Sequence, residues 1–140
     1  MEKKVLEFVV VMVLVILVFV ISGCAANRVD LVDAGVLSLE QHTTGKVYVA
    51  WSDAYEDGDG FVVTGVLRRR DTVGLPIKAH VDITIQSPDG SIVDESCSSD
   101  VHVPGRIPGK GINWKRFKIR LPEMPPQNSM VSMTVHSGEH

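Results

Sequence analysis

The order of apolar and polar residues divides the chain into a leader and a body with different periodicities. From Phe8 to Ile21 every side chain is aliphatic, aromatic or Met, whereas the body alternates apolar and polar positions with a period of two. This period is typical of β-strands that have one face in a core and the other in water. The clearest alternating runs are Val47–Trp51, Val81–Ile85, Phe117–Leu121 and Val131–Val135.

The remaining signals of the body are those of an all-β fold. Phe61–Leu67 is apolar on both faces apart from Thr64 and Gly65, which predicts a more central strand. Glu56–Gly60 and Ser87–Gly90 separate neighbouring strands with the Pro, Asp and Gly residues that tight turns favour. About seven candidate strands with no helical segment between them predict an antiparallel β-sandwich with Greek-key connections over residues 35–140.

The leader has the anatomy of a secretory signal. Lys3 and Lys4 precede the apolar run, and small residues end it. The segment Ile21-Ser22-Gly23-Cys24 resembles the lipobox of bacterial lipoproteins. This resemblance implies that residues 1–23 are a signal peptide removed before Cys24. Cys24 would then carry a diacylglyceryl group and an amide-linked chain such as palmitate, and residues 24–34 would form the lipidated cysteine and its tether.

Two simpler interpretations of the leader stay open. An apolar run can be an uncleaved membrane anchor, but a spanning helix needs about 20 apolar residues and Glu7 ends this run early. Cys24 can also be an ordinary thiol. In lipoprotein families, Asp after the lipidated cysteine retains the protein in the inner membrane, so Ala25 indicates an outer-membrane anchor with the domain facing the periplasm.

Composition and charge limit the function further. There are 14 Lys and Arg against 17 Asp and Glu, which gives a formal charge of −3 and no electrostatic footprint for nucleic acid. No Ser or Cys nucleophile has a His and an acid at a recognisable spacing. We therefore expect a non-enzymatic protein without a cofactor, attached to the membrane by its lipid and working with an envelope protein partner.

Cys97 is the one free thiol if Cys24 is acylated, so an intrachain disulfide is excluded. A lone Cys is most often a small buried core residue. A reactive thiol or an intermolecular bridge is the alternative, although the neighbours of Cys97 are acidic or neutral and do not activate a thiolate.

The C-terminal end offers a second functional hypothesis, a copper site. Thioether and imidazole are ligands that copper accepts, and such residues cluster here: Met124, Met130, Met133, His136 and His140. Met133 shares the parity of the core positions, whereas Met130 and His136 have the opposite parity, so one regular strand does not bring them together. The simpler interpretation is that the methionines fill the core and that the histidines belong to a frayed C-terminal tail.

Other polar clusters have both a functional and a structural interpretation. Glu56, Asp57 and Asp59 offer oxygen ligands for Ca²⁺, but their spacing is not that of an EF-hand and favours a solvated hairpin tip. Arg68–Arg70 suits anionic lipid or wall carboxylates, while charges on a strand edge more often block edge pairing. His80 falls on the polar face of its strand, and His42 and His102 fall in predicted loops.

The body resembles the small immunoglobulin-like and fibronectin-type-III-like domains of bacterial exported proteins. The stretches that carry the resemblance are Phe61–Arg68, Pro76–Ile83, Pro88-Asp89-Gly90, Pro108-Gly109 and Trp114–Pro122. The resemblance implies that Trp51 is a core tryptophan.

Together these features predict a periplasmic lipoprotein with a non-catalytic binding or envelope-assembly module. Its partner surface would be the loops Glu56–Gly60 and Gly105–Asn113, or an exposed sheet edge. The alternative is a carrier of copper or a small ligand that uses Met130, Met133 and His136.

Overall fold

The computed structural model describes residues 28–58, 60–71, 74–105 and 113–138. The signal peptide, the lipobox with Cys24, Asp59, His140 and residues 106–112 of the long loop lie outside the described residues. The expectations for these segments stay predictions.

Strands are the regular elements of the described residues, among which there is no helix. The eight strands are β1 (Leu37–Thr43), β2 (Val47–Asp57), β3 (Gly60–Arg69), β4 (Ile77–Gln86), β5 (Ile92–Cys97), β6 (Val101–Val103), β7 (Trp114–Leu121) and β8 (Ser129–Ser137). The all-β prediction is confirmed, with one strand more than the approximate count from the sequence. The additional short strand β6 has three residues, too few to show a period.

The strands form two sheets, as in a β-sandwich. A three-stranded sheet has the order β2-β3-β7, and a five-stranded sheet has the order β1-β8-β4-β5, with β6 also paired to β4. The pairings are antiparallel except for β1 and β8, which run parallel. The chain passes between the sheets at the β1–β2, β3–β4, β6–β7 and β7–β8 connections.

The core lies between the sheets and is built by the predicted alternation. The apolar inward side chains of β4, β7 and β8 that are at most 4% exposed are Ala79, Val81, Ile83, Ile85, Phe117, Ile119, Leu121, Val131, Met133 and Val135. The predicted central position of Phe61–Leu67 is also correct, because β3 pairs with β2 on one side and β7 on the other. Burial of each such aliphatic or aromatic side chain contributes roughly 1.5–3 kcal/mol.

The expectation that Trp51 is a core residue is wrong. The register between β2 and β3 shifts between Val49 and Trp51, with Ala50 as the extra residue. A β-bulge of this kind reverses the parity of every later residue in the strand. Val49 therefore points inward, whereas Trp51 is 53% exposed on the outer face of the three-stranded sheet.

Packed structure begins upstream of residue 35, where the sequence places the start of the domain. Leu31 is 4% exposed within the core, and its N–H donates to the carbonyl of Ala54 at 2.8 Å. The carboxylate of Asp30 accepts the N–H of Val32 at 2.8 Å and fixes the turn. At least the segment from Asp30 onward therefore belongs to the sandwich rather than to a free tether.

Candidate functional site

The two outer surfaces of the sandwich differ in charge. The basic face is the outer side of the three-stranded sheet and consists of Tyr48, Trp51, Asp53, Tyr55, Asp57, Val62, Thr64, Val66, Arg68, Trp114, Arg116, Lys118 and Arg120. Tyr55 and Val62 are buried in this face, whereas the four cations are exposed. The histidine face is the outer surface of the five-stranded sheet and consists of Ser38, Glu40, His42, Lys78, His80, Asp82, Thr84, Gln86, Ile92, Glu95, Cys97, His102, Met130, Ser132, Thr134 and His136. The net charge of the chain does not show this asymmetry.

Cations dominate the basic face because the polar positions of β7 alternate with its core positions. Arg116, Lys118 and Arg120 are exposed, and exposed Arg68 lies directly opposite Trp114 on the next strand. Asp57, at the end of β2, pairs with Arg120 at 3.3 Å. The face therefore retains an excess of positive charge.

Aromatic rings lie among these cations. The guanidinium of Arg28 stacks over Tyr55 at 4.8 Å, and that of Arg116 over Trp114 at 5.5 Å. A guanidinium within about 6 Å of a ring is attracted by the electrons of the ring face. Trp51 and Trp114 are the two tryptophans of the chain, so both indoles belong to the basic face.

A carboxyl pair borders the basic face on the edge strand β2. Burial raises the pKa of Asp53, and a hydrogen bond with Asp30 and the repulsion of its charge raise it further. Oδ1 of Asp53 is buried and has no hydrogen-bond partner among the described residues. Asp53 therefore keeps its proton to a higher pH than a fully solvated carboxyl does.

Two histidines from distant parts of the chain meet on the opposite, histidine face. His80 and His136 are direct cross-strand partners, and their rings stack with centroids 5.2 Å apart and planes at 23°. Nε2 of His136 lies 3.1 Å from one carboxylate oxygen of Asp82, and Nε2 of His80 lies 3.7 Å from the other. One carboxylate thus faces both imidazoles.

A second carboxylate reaches the stacked histidines because β5 and β6 are separated by an irregular segment. Ser98 is buried there, and its hydroxyl accepts the N–H of Val81 at 2.9 Å. The chain then places Asp100 3.4 Å from Nδ1 of His80 and 2.9 Å from the ammonium of Lys78. The hydrogen bond from Lys78 is the main cause that lowers the pKa of Asp100.

The residues named for copper are not brought together. Met133 is fully buried in the core, whereas Met130 and His136 lie on the histidine face. These two are six positions apart on one strand, which separates them by roughly 20 Å. Met124 packs against the core. In the part of the chain that the structure describes, no group of three or more His, Cys, Asp or Glu side chains is arranged to hold a metal ion.

The structure corrects several expectations for single residues. Cys97 is exposed rather than buried, because it lies on the outer side of the edge strand β5, opposite Asp82. His42 and His102 lie in strands β1 and β6 rather than in loops. Arg69 points inward and is 8% exposed, so only its two neighbours in the basic triplet are solvated.

The buried Arg69 has a structural role. Its guanidinium donates to the carboxylate of Asp71 at 2.7 Å and to the carbonyl of Leu75 at 2.6 Å. The arginine therefore holds the connection between β3 and β4 against the end of the sandwich.

The predicted acidic turn is a hairpin tip in its described part. Gly58 has a φ of 68°, a left-handed conformation that suits glycine. The carboxylate of Asp57 forms an ion pair with Arg120. Asp59 lies outside the described residues, so the turn provides no described set of carboxylates for a cation.

Comparison with protein-family models, with curated proteins and with solved structures finds no match. Within the described ranges, no helix is long and apolar enough to cross a membrane.

Proposed function

We propose that this protein is a lipid-anchored envelope protein whose immunoglobulin-like sandwich is a non-catalytic binding or assembly module. The sequence Ile21-Ser22-Gly23-Cys24 supports acylation at Cys24, and Ala25 supports an outer-membrane location facing the periplasm. Few residues separate Cys24 from the packed segment that begins by Asp30. Such a short connection keeps the domain at the membrane surface.

The free edge of β5 is the observation that best supports a binding role. Among the described strands, β5 pairs with β4 alone. Ile92 is 59% exposed and Val93 is 47% exposed on this strand. Proteins usually protect edge strands with charges, Pro or bulges, because an unpaired apolar edge pairs with other strands. Strand β5 has a bulge at Val93 and the charges of Asp94 and Glu95, but Ile92 and Val93 leave an exposed apolar segment on its unpaired edge. This segment is suited to a partner that adds an extended strand by main-chain hydrogen bonds.

The anchor is tested by the intact mass of the protein extracted from native membranes. Cleavage before Cys24 with added acyl chains is the expected result, and Cys24→Ser is expected to leave the chain unprocessed and unacylated. A native chain of unchanged mass that retains residues 1–23 would refute the lipoprotein proposal.

The partner surface is tested by site-specific photocrosslinking in native membranes. A photoreactive amino acid at position 93 should give a discrete adduct, whereas the same group at Leu75, which is 87% exposed, should not. Val93→Lys should abolish an adduct formed from position 92, and Leu75→Lys should leave it intact. Adducts of equal yield from positions 75 and 93 would show that β5 is not the binding edge.

A further inference from the structure

We propose that the basic face docks on the anionic phospholipid headgroups of the membrane that holds the anchor. The domain then lies with its three-stranded sheet toward the lipid and its histidine face away from it. This inference rests on the proposed function for the position of the anchor. It adds a second membrane contact, which fixes the orientation of the domain.

The position of Arg28 connects the anchor to the basic face. Its guanidinium stacks on Tyr55, so the first described residue of the chain lies against this face. Cys24 precedes Arg28 by four residues, which span at most about 14 Å when fully extended. An uncleaved apolar leader ending at Ile21 would emerge from the bilayer only three residues earlier. Either form of anchor keeps the lipid surface beside the basic face.

The charges of the two faces favour this orientation. The basic face presents four cations, Arg68, Arg116, Lys118 and Arg120, against the carboxyls of Asp53 and Asp57, of which Asp57 pairs with Arg120. The histidine face presents the carboxylates of Glu40, Asp82 and Glu95 against the single ammonium of Lys78. Each Lys or Arg near an anionic leaflet favours binding about fivefold, and the attraction falls off within a Debye length of about 8 Å. The opposite orientation would bring carboxylates toward the headgroups.

The aromatic side chains suit the same occupant. Trp51 lies on the outer face of strand β2 and is 53% exposed. Indole and phenol rings collect at the headgroup level of membranes, since one part of the ring system is apolar and another forms hydrogen bonds. Trp51 and Trp114 are therefore placed to insert between headgroups while the neighbouring guanidinium groups contact phosphate.

The tether allows this contact to be weak and still effective. A lipid-anchored domain meets the surface as an intramolecular event, with an effective concentration set by the short connection. A cationic patch is in addition one of the second signals that strengthen a lipid anchor. A free acidic protein or nucleic acid would have no such advantage, and the chain as a whole carries a net charge of −3.

The test uses the full acylated protein reconstituted into phosphatidylcholine vesicles with or without phosphatidylglycerol. Both tryptophans of the chain are on the basic face, so their unmodified fluorescence reports its position. Brominated lipids should quench this fluorescence when phosphatidylglycerol is present, and much less in neutral vesicles. An environment-sensitive dye on Cys97, which is exposed on the histidine face, should not respond to phosphatidylglycerol.

A pair of matched variants separates local from overall charge. Arg116→Gln with Lys118→Gln should lower the ratio of docked to undocked domain about 25-fold, at about fivefold per cation. Lys46→Gln with Lys78→Gln removes the same charge elsewhere and should lower the ratio far less. Equal losses in the two double variants, or quenching that is independent of phosphatidylglycerol, would overturn the docking proposal.

Sedimentation in high salt distinguishes failure of the anchor from failure of the docking. Protein that stays with the vesicles but shows no lipid-dependent quenching refutes docking and leaves the anchor intact. Protein that leaves the vesicles in high salt, yet is quenched by brominated anionic vesicles in low salt, refutes the anchor and supports docking. Anchored protein whose quenching falls with salt supports both.

Discussion

His80 and His136 stack across β4 and β8 with ring centroids 5.2 Å apart, although 56 positions separate them in the chain. Asp82 faces both rings, and Asp100 approaches His80 from the segment between β5 and β6. The arrangement joins two neighbouring strands and a connecting segment through charged groups on one solvated surface. The ionisation of Asp100 in this arrangement can be measured directly.

Removal of the Lys78 ammonium should raise the pKa of Asp100 toward its ordinary value. The hydrogen bond from Lys78 is the main cause that lowers this pKa, and the nearby His80 contributes less. We expect a clear upward shift in Lys78→Gln and a smaller one in His80→Gln, measured by NMR titration of the Asp100 carboxyl carbon. Lys46→Gln is the control, because Lys46 pairs with Asp71. A shift as large in the control as in Lys78→Gln would contradict this assignment.

The contact between Lys78 and Asp100 also affects the stability of the fold. Because the pKa of Asp100 is lowered in the fold, its ionised form favours the folded state. This contribution is present above the ordinary pKa of 3.8 and is lost as the pH falls through the lowered value. Asp100→Ala should therefore have a lower urea midpoint than the native protein at pH 7. The difference should shrink in acid, and a difference that stays constant down to pH 2 would rule out this linkage.

Replacement of Asp53 by Asn should stabilise the protein at neutral pH. The pKa of Asp53 is raised by burial and by Asp30, so the folded state binds more protons than the unfolded chain between the ordinary pKa of 3.8 and the raised value. The native protein therefore loses stability as the pH rises through the raised pKa, and the Asn variant does not. The expected result is a higher urea midpoint for Asp53→Asn at pH 7, with a smaller advantage near pH 3.

Asp33→Asn serves as the comparison for Asp53, because Asp33 is exposed and its repulsion is the smallest of the causes that raise the pKa of Asp53. It should change the urea midpoint less at every pH. An Asp53→Asn protein that is less stable than the native one at pH 7 would show that the carboxylate makes a favourable contact when ionised.

The sequence predicts what depends on local periodicity and misses what depends on pairing between distant segments. Alternation in β4, β7 and β8 is enough to assign their core residues. The bulge at Ala50, which exposes Trp51, depends on how β2 pairs with β3 and has no signal in the local pattern. Exposure of Cys97 likewise follows from the edge position of β5.

The basic face also depends on pairing between distant segments and could not be predicted from any one of them. The cationic positions of β7 are visible in the sequence, and the aromatic residues of β2 are visible separately. Their approach requires the β2-β3-β7 order, which no single segment encodes. The position of Arg28 over Tyr55 depends in addition on the isolated bridge between Asp30 and Tyr55.

Gly65 should not tolerate a side chain, because two groups occupy the space beside it. A Cβ atom there would lie 2.5 Å from the carbonyl oxygen of Trp51 and 2.7 Å from the ring of Phe117. We expect Gly65→Ala to lower the free energy of unfolding by about 1–3 kcal/mol, as overpacking of cores does. Ser132→Ala on the histidine face should change it by less than about 0.5 kcal/mol. Equal urea midpoints for the two variants would show that the strands move apart at no cost.

Met133 and Met130 are matched methionines on one strand that should respond differently to truncation. Met133 is fully buried between the sheets, whereas Met130 is half-buried on the histidine face. Met133→Ala leaves a cavity and should cost about 2–5 kcal/mol of unfolding free energy, measured by urea denaturation. Met130→Ala should cost much less, because water and neighbouring side chains fill the space on the outer face.

The comparison also separates a structural role from ligation. Because Met133 faces the core, Met133→Leu should restore most of the stability lost in Met133→Ala while it removes the thioether. Stability that is recovered by Leu identifies volume as the property that matters at this position. If Met133→Leu instead remained as unstable as Met133→Ala, the sulfur itself would have to contribute, and the core assignment of Met133 would be insufficient.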